Sequence, residues 1–186
     1  MSNVVAVYGS PRANGNSSAL GKAIMQGAMG LSLNTVKVHR LNNLHLMKGC
    51  QYCDKCKDVG ECVLDDDLIP ILEDVKECDS LVLCFPMFFN SPCSQMMMLL
   101  DRMYSMMDAD WKPRYPGKKL IIVMTYDGRE KESMVKLVES QLRPVFEKNL
   151  GFEIKGFLSY RCNHGINSAA GDQAMINLAK KMGETL

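Results

Sequence analysis

The sequence predicts a doubly wound α/β protein, one parallel sheet with helices on both faces. Three observations carry that reading. Short β-branched runs alternate strictly with longer helical patterns along the 186 residues, which is the rhythm of successive βαβ units. The central runs are apolar throughout, as strands covered on both faces must be. The stretches just past those runs, where such sheets bind ligands, hold most of the chemistry-bearing residues.

Val4 to Tyr8 reads as a buried first strand, and Ser17 to about Leu31 as a helix that Asn16 or Ser17 can cap. Thr35 to His39 alternates and belongs nearer a sheet edge. A cysteine-rich loop at about 48–64 follows. Asp65, Asp66 and Asp67 offer a cap and favourable charge to a helix reaching about Lys76, with Pro70 tolerable in its first turns. Ser80 to Phe85 is an apolar strand ended by Pro86. Pro92 opens a methionine-rich helix to about Met107, with Met96, Leu100, Met103 and Met107 as its core stripe. Lys119 to Thr125 is the next central strand. Lys131 to Asn149 reads as a helix that Pro144 kinks or splits, Phe152 to Tyr160 as the last strand, and Ser168 to Glu184 as a closing helix. No repeat, low-complexity tract or linker interrupts this, so 1–186 is expected to be a single domain.

With 47% hydrophobic and 23% charged residues, the composition is that of a soluble globular protein. A net charge of +1 gives no field to steer nucleic acid or an anionic membrane, so neither is expected as a partner. Met1 to Tyr8 lacks the basic start and small-residue cleavage site of a signal peptide and is too short to span a bilayer. A cytoplasmic location is therefore expected, with the cysteines reduced or ligated rather than paired in disulfides.

The loop Gly9-Ser-Pro-Arg-Ala-Asn-Gly-Asn-Ser-Ser18 joins the first strand to the first helix. Amides at a helix start carry partial positive charge, and Ser10, Ser17 and Ser18 can add hydrogen bonds. Arg12 can add a charge-assisted contact. This suits a terminal phosphate, though the same composition also describes an ordinary capped turn. The loop has no G-x-G-x-x-G, and Gly15 is followed by Asn16 rather than by Lys-Ser/Thr. A mononucleotide phosphate therefore fits better than a pyrophosphate or a nucleoside triphosphate.

Cys50, Cys53, Cys56 and Cys62 stand within thirteen residues, three of them spaced by three. One tight segment can point such sulfurs at neighbouring irons of a cubane cluster. Zinc more often takes two separated Cys-x-x-Cys knuckles, and free thiols are the remaining reading. Of the scattered cysteines, Cys84 in an apolar strand behaves as a small hydrophobe. Cys93 stands where a helix start can favour its thiolate, although packing is its simpler role.

Gly9-Ser-Pro-Arg12 with Gly15-Asn-Ser17 resembles the signature of flavodoxin-like NAD(P)H-dependent FMN reductases. Together with Cys50, Cys53, Cys56, Cys62, Val63-Leu-Asp-Asp-Asp67, Phe85-Pro-Met-Phe-Phe-Asn90 and Leu100-Asp-Arg102, in that order, the chain closely resembles the iron–sulfur flavoprotein family. The likeness covers roughly the first two thirds; the remainder matches only in strand–helix rhythm. The resemblance implies a flavodoxin-like five-stranded sheet of order 2-1-3-4-5, bound FMN, a [4Fe-4S] cluster on the four cysteines, and assembly as homodimers or homotetramers. A departure is Met97 and Met98, where related reductases often have a lysine. Those methionines make the helix apolar all round, which a subunit interface explains.

The resemblance places the isoalloxazine ring at Pro86-Met-Phe-Phe-Asn-Ser-Pro92. A flat tricycle needs apolar faces and polar edges: Met87, Phe88 and Phe89 can offer the first, Asn90 and the local backbone the second. The plainer reading is that Phe88 and Phe89 cover the sheet. Thr125-Tyr-Asp-Gly128 can close the opposite side, or be only a surface turn. The cofactor-binding set is thus Ser10, Arg12, Asn16, Ser17, Ser18, Pro86, Met87, Phe88, Phe89, Asn90, Thr125, Tyr126, Asp127 and Gly128. The loop Arg161-Cys-Asn-His-Gly165 is a further candidate for approach to the flavin, in its own or a neighbouring subunit; His164 is given no role.

The leading functional expectation is a flavin-dependent oxidoreductase moving electrons between a donor, NAD(P)H or ferredoxin, and an acceptor, with FMN and a [4Fe-4S] cluster paired. No catalytic side chain is assigned, because the cofactors carry the chemistry. Two alternatives stand beside it: an NAD(P)H-dependent FMN or quinone reductase without a cluster, and a non-catalytic redox-sensing flavin-binding protein.

Overall fold

The apolar runs assemble as a parallel sheet in a computed structural model that describes residues 2–30, 34–127, 132–162 and 165–186. Its strands are β1 (Asn3–Tyr8), β2 (Thr35–Arg40), β3 (Ser80–Phe88), β5 (Lys119–Tyr126) and β6 (Glu153–Arg161), with a two-residue β4 (Ser91–Pro92) appended to β3. The order is β2-β1-β3-β5-β6, all parallel except the β3–β4 ribbon. With β4 set aside this is the expected 2-1-3-4-5. β1 lies between β2 and β3, so the winding reverses there, and the carboxyl ends of β1 and β3 flank a switch point.

The all-apolar strands are central because both of their faces are covered. Leu81, Leu83 and Phe85 of β3 enter one buried layer, under α3 (Ile69–Glu77), α4 (Ser94–Arg102) and α5 (Glu132–Pro144). Val82 and Cys84 enter the other, under α1 (Asn16–Gly30) and α7 (Gln173–Gly183). Each such side chain contributes roughly 1.5–3 kcal/mol by leaving water. α1 and α7 cross in backbone contact: a Cβ on Gly27 would stand 2.0 Å from the Lys180 carbonyl oxygen, and one on Gly183 equally close to that of Ile24.

Several elements differ from expectation for identifiable reasons. β3 does not stop at Pro86; it runs on to Phe88, because Pro86 still accepts a hydrogen bond from the Cys93 amide at 3.1 Å and Phe88 pairs with Ser91. Phe89 (φ 50°) and Asn90 (φ 62°) form the two-residue tip, both left-handed, as a turn matching strand twist requires. The methionine helix is α4 followed by a 3₁₀ turn, Met103–Met106. Leu99 of α4 is buried, while Leu100 is only half-buried. Met97 is exposed and Met98 half-buried against the core.

No side chain of Asp65–Asp67 caps α3, whose N-cap is Leu68. Asp66 instead receives Arg102, and Asp67 receives the amides of His45 and Leu46 at 2.8 and 2.9 Å. Pro144 ends α5 and passes the chain into a π turn, Val145–Asn149; Lys131 lies outside the described residues. The closing helix is two pieces, α6 (Ser168–Gly171) and α7, because the Asp172 carboxylate caps the second by accepting the Met175 amide at 3.1 Å. Among the described residues no helix is long and apolar enough to cross a membrane.

Candidate functional site

At the carboxyl ends of β1, β3, β5 and β6 the loops enclose a cleft of about 750 Å³, within the usual range for a small-molecule site. At its β1 end the chain turns tightly into α1. The Arg12 amide donates to Ser10 Oγ at 3.1 Å, and the Arg12 carbonyl accepts from the Gly15 amide and Ser18 Oγ, both at 3.4 Å. This folds Ser10, Arg12, Gly15, Asn16 and Ser17 onto the cleft wall. α1 has no acidic residue in its first turn, so nothing there opposes an anion at its positive end.

Ser18 and Asn16, both expected at the site, are committed to structural partners. Ser18 is fully buried, lies off the wall, and braces the loop through the Arg12 carbonyl and Arg40 Nη1, which donates to it at 3.4 Å. Asn16 borders the cleft, but its amide nitrogen donates to the Gly165 carbonyl at 3.1 Å and its oxygen accepts from the Ala169 amide at 2.8 Å. It ties the chain after β6 to the start of α1.

The middle of the cleft is made by Pro86, Met87, Phe88, Phe89 and Asn90. Met87 is buried in the core, so Phe88 and Phe89 supply the available aromatic surface. Phe89 is 99% exposed at a left-handed φ, a costly placement for a bulky residue. Across from it stand Thr125 and Tyr126, both buried, and the exposed Asp127. Gly128 and His164 lie outside the described residues.

Cys162, Gly165 and Ile166 of the same chain also line the cleft. The Cys162 amide donates to the Tyr126 carbonyl at 2.8 Å. Burial pushes its thiol up, more than hydrogen bonds from Asn16 and its neighbours pull it down, so it faces the cleft protonated. Cys93 resolves as packing: it is buried, donates to the Gly9 carbonyl at 3.2 Å, and its thiol is raised by burial despite the helix start.

A second, smaller cavity of about 20 Å³ is lined by all of Cys50, Cys53, Cys56 and Cys62, together with Arg102 and Tyr104. Tyr52 (φ 51°) and Asp54 (φ 55°) take left-handed turns that wind the segment back on itself before the short α2 (Lys55–Val59). Lys57 anchors it by donating to the Tyr104 and Met107 carbonyls at 3.0 and 2.9 Å, and the Tyr104 hydroxyl donates to Asp54 at 3.1 Å. Arg102 reaches it from α4, with Nε 3.1 Å from Cys62 Sγ and Nη1 2.6 Å from Asp66.

Cys56 is buried, Cys62 half-buried, and Cys50 and Cys53 are exposed. Burial first, then crowding by the sulfurs of Cys62, Cys50 and Cys53, push the Cys56 thiol up against the pull of Lys57. Four thiols on one cavity wall are the donor types that a thiolate-ligated metal group takes. Among the described residues no three His, Cys, Asp or Glu side chains are grouped to hold a single metal ion. The four sulfurs share a cavity wall without meeting at one point.

A parallel sheet of this order, with a phosphate-friendly loop and an aromatic hairpin at its switch point, defines a flavodoxin-like α/β protein. A family model described as NADPH-dependent FMN reductase matches residues 2–158, and the chain belongs to that family. It is 30% identical over 99 residues to an iron–sulfur flavoprotein of Methanocaldococcus jannaschii, covering 53% of this chain and 50% of that one. It is 29% identical over 124 residues to another of Archaeoglobus fulgidus, covering 67% and 54%. The chain thus spans about half the length of the curated relatives it matches. The fold is that of the NAD(P)H:quinone oxidoreductase of Methanothermobacter marburgensis, with a TM-score of 0.72 at 16% identity over 99% of this chain and 96% of that one.

The loop 161–165 was a further candidate outside the cofactor-binding set, and Cys162 and Gly165 of this loop do line the cleft in the same chain; Ile166, one residue beyond it, was not foreseen. Arg102 was noted only for its part in the resemblance; nothing local announces that an arginine late in an apolar helix turns inward.

Proposed function

We propose that this chain is an FMN-dependent oxidoreductase that also carries a [4Fe-4S] cluster, accepting electrons from NAD(P)H or ferredoxin and passing them to an acceptor. The observation that carries the flavin half is the 750 Å³ cleft, with a helix start and hydroxyls at one end and exposed aromatic rings midway. Ser10, Ser17, Arg12 and the amides opening α1 would hold the phosphate. Phe88 and Phe89 would cover one face of the ring, with Thr125, Tyr126 and Asp127 opposite. Asn16 ties Gly165 and Ala169 to the start of α1, which fixes the last loop of the cleft against the first. When bound, FMN accepts a hydride and releases electrons singly. The Cys162 thiol, kept protonated by burial, lines the cleft without a negative charge to repel an electron-rich ring.

The cluster half is supported by the spacing of Cys50, Cys53, Cys56 and Cys62 and by their shared cavity. A second reading, an NAD(P)H-dependent FMN or quinone reductase with an empty cysteine loop, draws support from the 20 Å³ cavity, which is water-sized. The segment would have to open around a cluster. The test is an absorption spectrum of anaerobically purified protein before and after dithionite, with FMN, iron and acid-labile sulfide measured per chain. Yellow protein with iron and sulfide supports the first reading; yellow protein without either, even after reconstitution, supports the second. Colourless protein that takes up no added FMN sinks both.

A further inference from the structure

We propose that Arg102 is the positioning residue of the cysteine site: one buried guanidinium that fastens both ends of the cysteine segment and holds a spare N–H for a sulfur of the bound cluster. The inference rests on the cluster reading above.

Arg102 is 1% exposed, among the largest fully buried side chains. Its Nη1 donates to the Lys48 carbonyl at 3.0 Å and its Nε to Cys62 Sγ at 3.1 Å. Lys48 lies just before the first cysteine and Cys62 is the last, so a single rigid fork spans the segment's entrance and exit. A guanidinium paired with a carboxylate frequently adopts the two-pronged arrangement. Here it does not. Asp66 meets Nη1 with Oδ2 alone, at 2.6 Å, and its Oδ1 accepts the Leu68 amide at 3.2 Å. Oδ2 also accepts the Lys48 amide at 3.1 Å, reinforcing the same end of the segment.

The remaining nitrogen, Nη2, is buried with no hydrogen-bond partner. An unmet donor on a buried cation is costly, and an acceptor normally stands beside it. Arg102 lines the same cavity as the four cysteines, where a cluster's sulfurs would supply that acceptor. Hydrogen bonds to cluster and ligand sulfur help set a cluster's reduction potential, and partners of this kind orient the ligands. Lysine cannot replace this, since its point charge can keep Asp66 but cannot span Lys48 and Cys62 together.

The test compares wild type with Arg102→Lys, as full chains purified anaerobically and reconstituted with ferrous iron and sulfide. The expected result is FMN content and cooperative melting retained, about tenfold weaker cluster retention under chelator challenge, and a lower midpoint potential for any cluster that loads. In metal-free protein, amide exchange across 49–62 should quicken. Equal retention, potential and exchange in the two proteins overturn the role of Arg102 while leaving the cluster reading intact. A wild-type chain that takes up no iron removes the cluster reading and the proposal with it. Cys62→Ala, which keeps the Arg102–Asp66 pair, decides the matter if R102K does not fold. Faster exchange over 49–62 in metal-free C62A supports the anchor, and an unchanged rate overturns it.

Discussion

The cleft proposed for the flavin and the cysteine segment are built in opposite ways. The cleft, about 750 Å³, is framed by the ends of regular strands and a helix start. The cysteine site, about 20 Å³, is wound from a segment with two left-handed non-glycine residues and is held by side chains reaching in from elsewhere. A small molecule can be received by a shape the sheet already makes. A thiolate cluster supplies its own geometry and needs only a tethered segment with its sulfurs facing one way. The lesson is that the first site is decided by topology and the second by a few anchors.

The contrast breaks most sharply at Asp66. Asp66→Asn leaves the buried Arg102 without its carboxylate, and removing one partner of such a pair costs about 3–5 kcal/mol. Chemical denaturation should read that loss in the apo-protein, while FMN affinity of the folded fraction stays within a factor of about two. Equal damage to both sites would mean they are one cooperative unit. Ser17→Asp works the other way. A carboxylate beside the proposed phosphate should weaken FMN binding about 100-fold by flavin-fluorescence titration, with iron and sulfide content unchanged.

Smaller effects sharpen the comparison. With iodoacetamide at pH 8, the exposed Cys50 and Cys53 of cofactor-free protein should react about tenfold faster than Cys162, whose burial keeps its thiol protonated. Added FMN should protect Cys162 further and leave the loop thiols as they were; mass mapping of the alkylated sites reports both. Phe89→Gly is the mildest change. It relieves a left-handed phenylalanine and should stabilise the apo-protein by about 1 kcal/mol, yet FMN should bind several-fold more weakly. A stabilised variant with undiminished affinity would remove Phe89 from the cleft's function.

Much of the fold was legible in the chain. The apolar runs at Val4–Tyr8, Ser80–Phe85 and Lys119–Thr125 are the central strands because only a strand covered on both faces needs no polar side. Helix boundaries were less legible. Asp65–Asp67 look like a cap in isolation, but a buried arginine and two loop amides compete for those carboxylates and win. Pro86 looked like a strand end because a proline lacks one donor, yet its carbonyl remains available and the hairpin uses it. At the cleft the sequence named the loops that meet there, the one after the last strand only as a further candidate. It could not show that Ser18 turns away from the wall or that Asn16 is committed to Gly165 and Ala169.

Local pattern alone settled the class of fold, the strand ends that border the cleft and the identity of the clustered sulfurs, since periodicity and spacing are written within a few consecutive residues. Folding in three dimensions was needed to bring Cys162 beside Tyr126, to seat Arg102 between Lys48 and Cys62, and to leave one of its nitrogens without an acceptor. Those contacts join residues 36 to 54 positions apart in the chain. Whether a distant side chain is satisfied depends on which groups the packed core brings to it, and no short stretch of sequence carries that information.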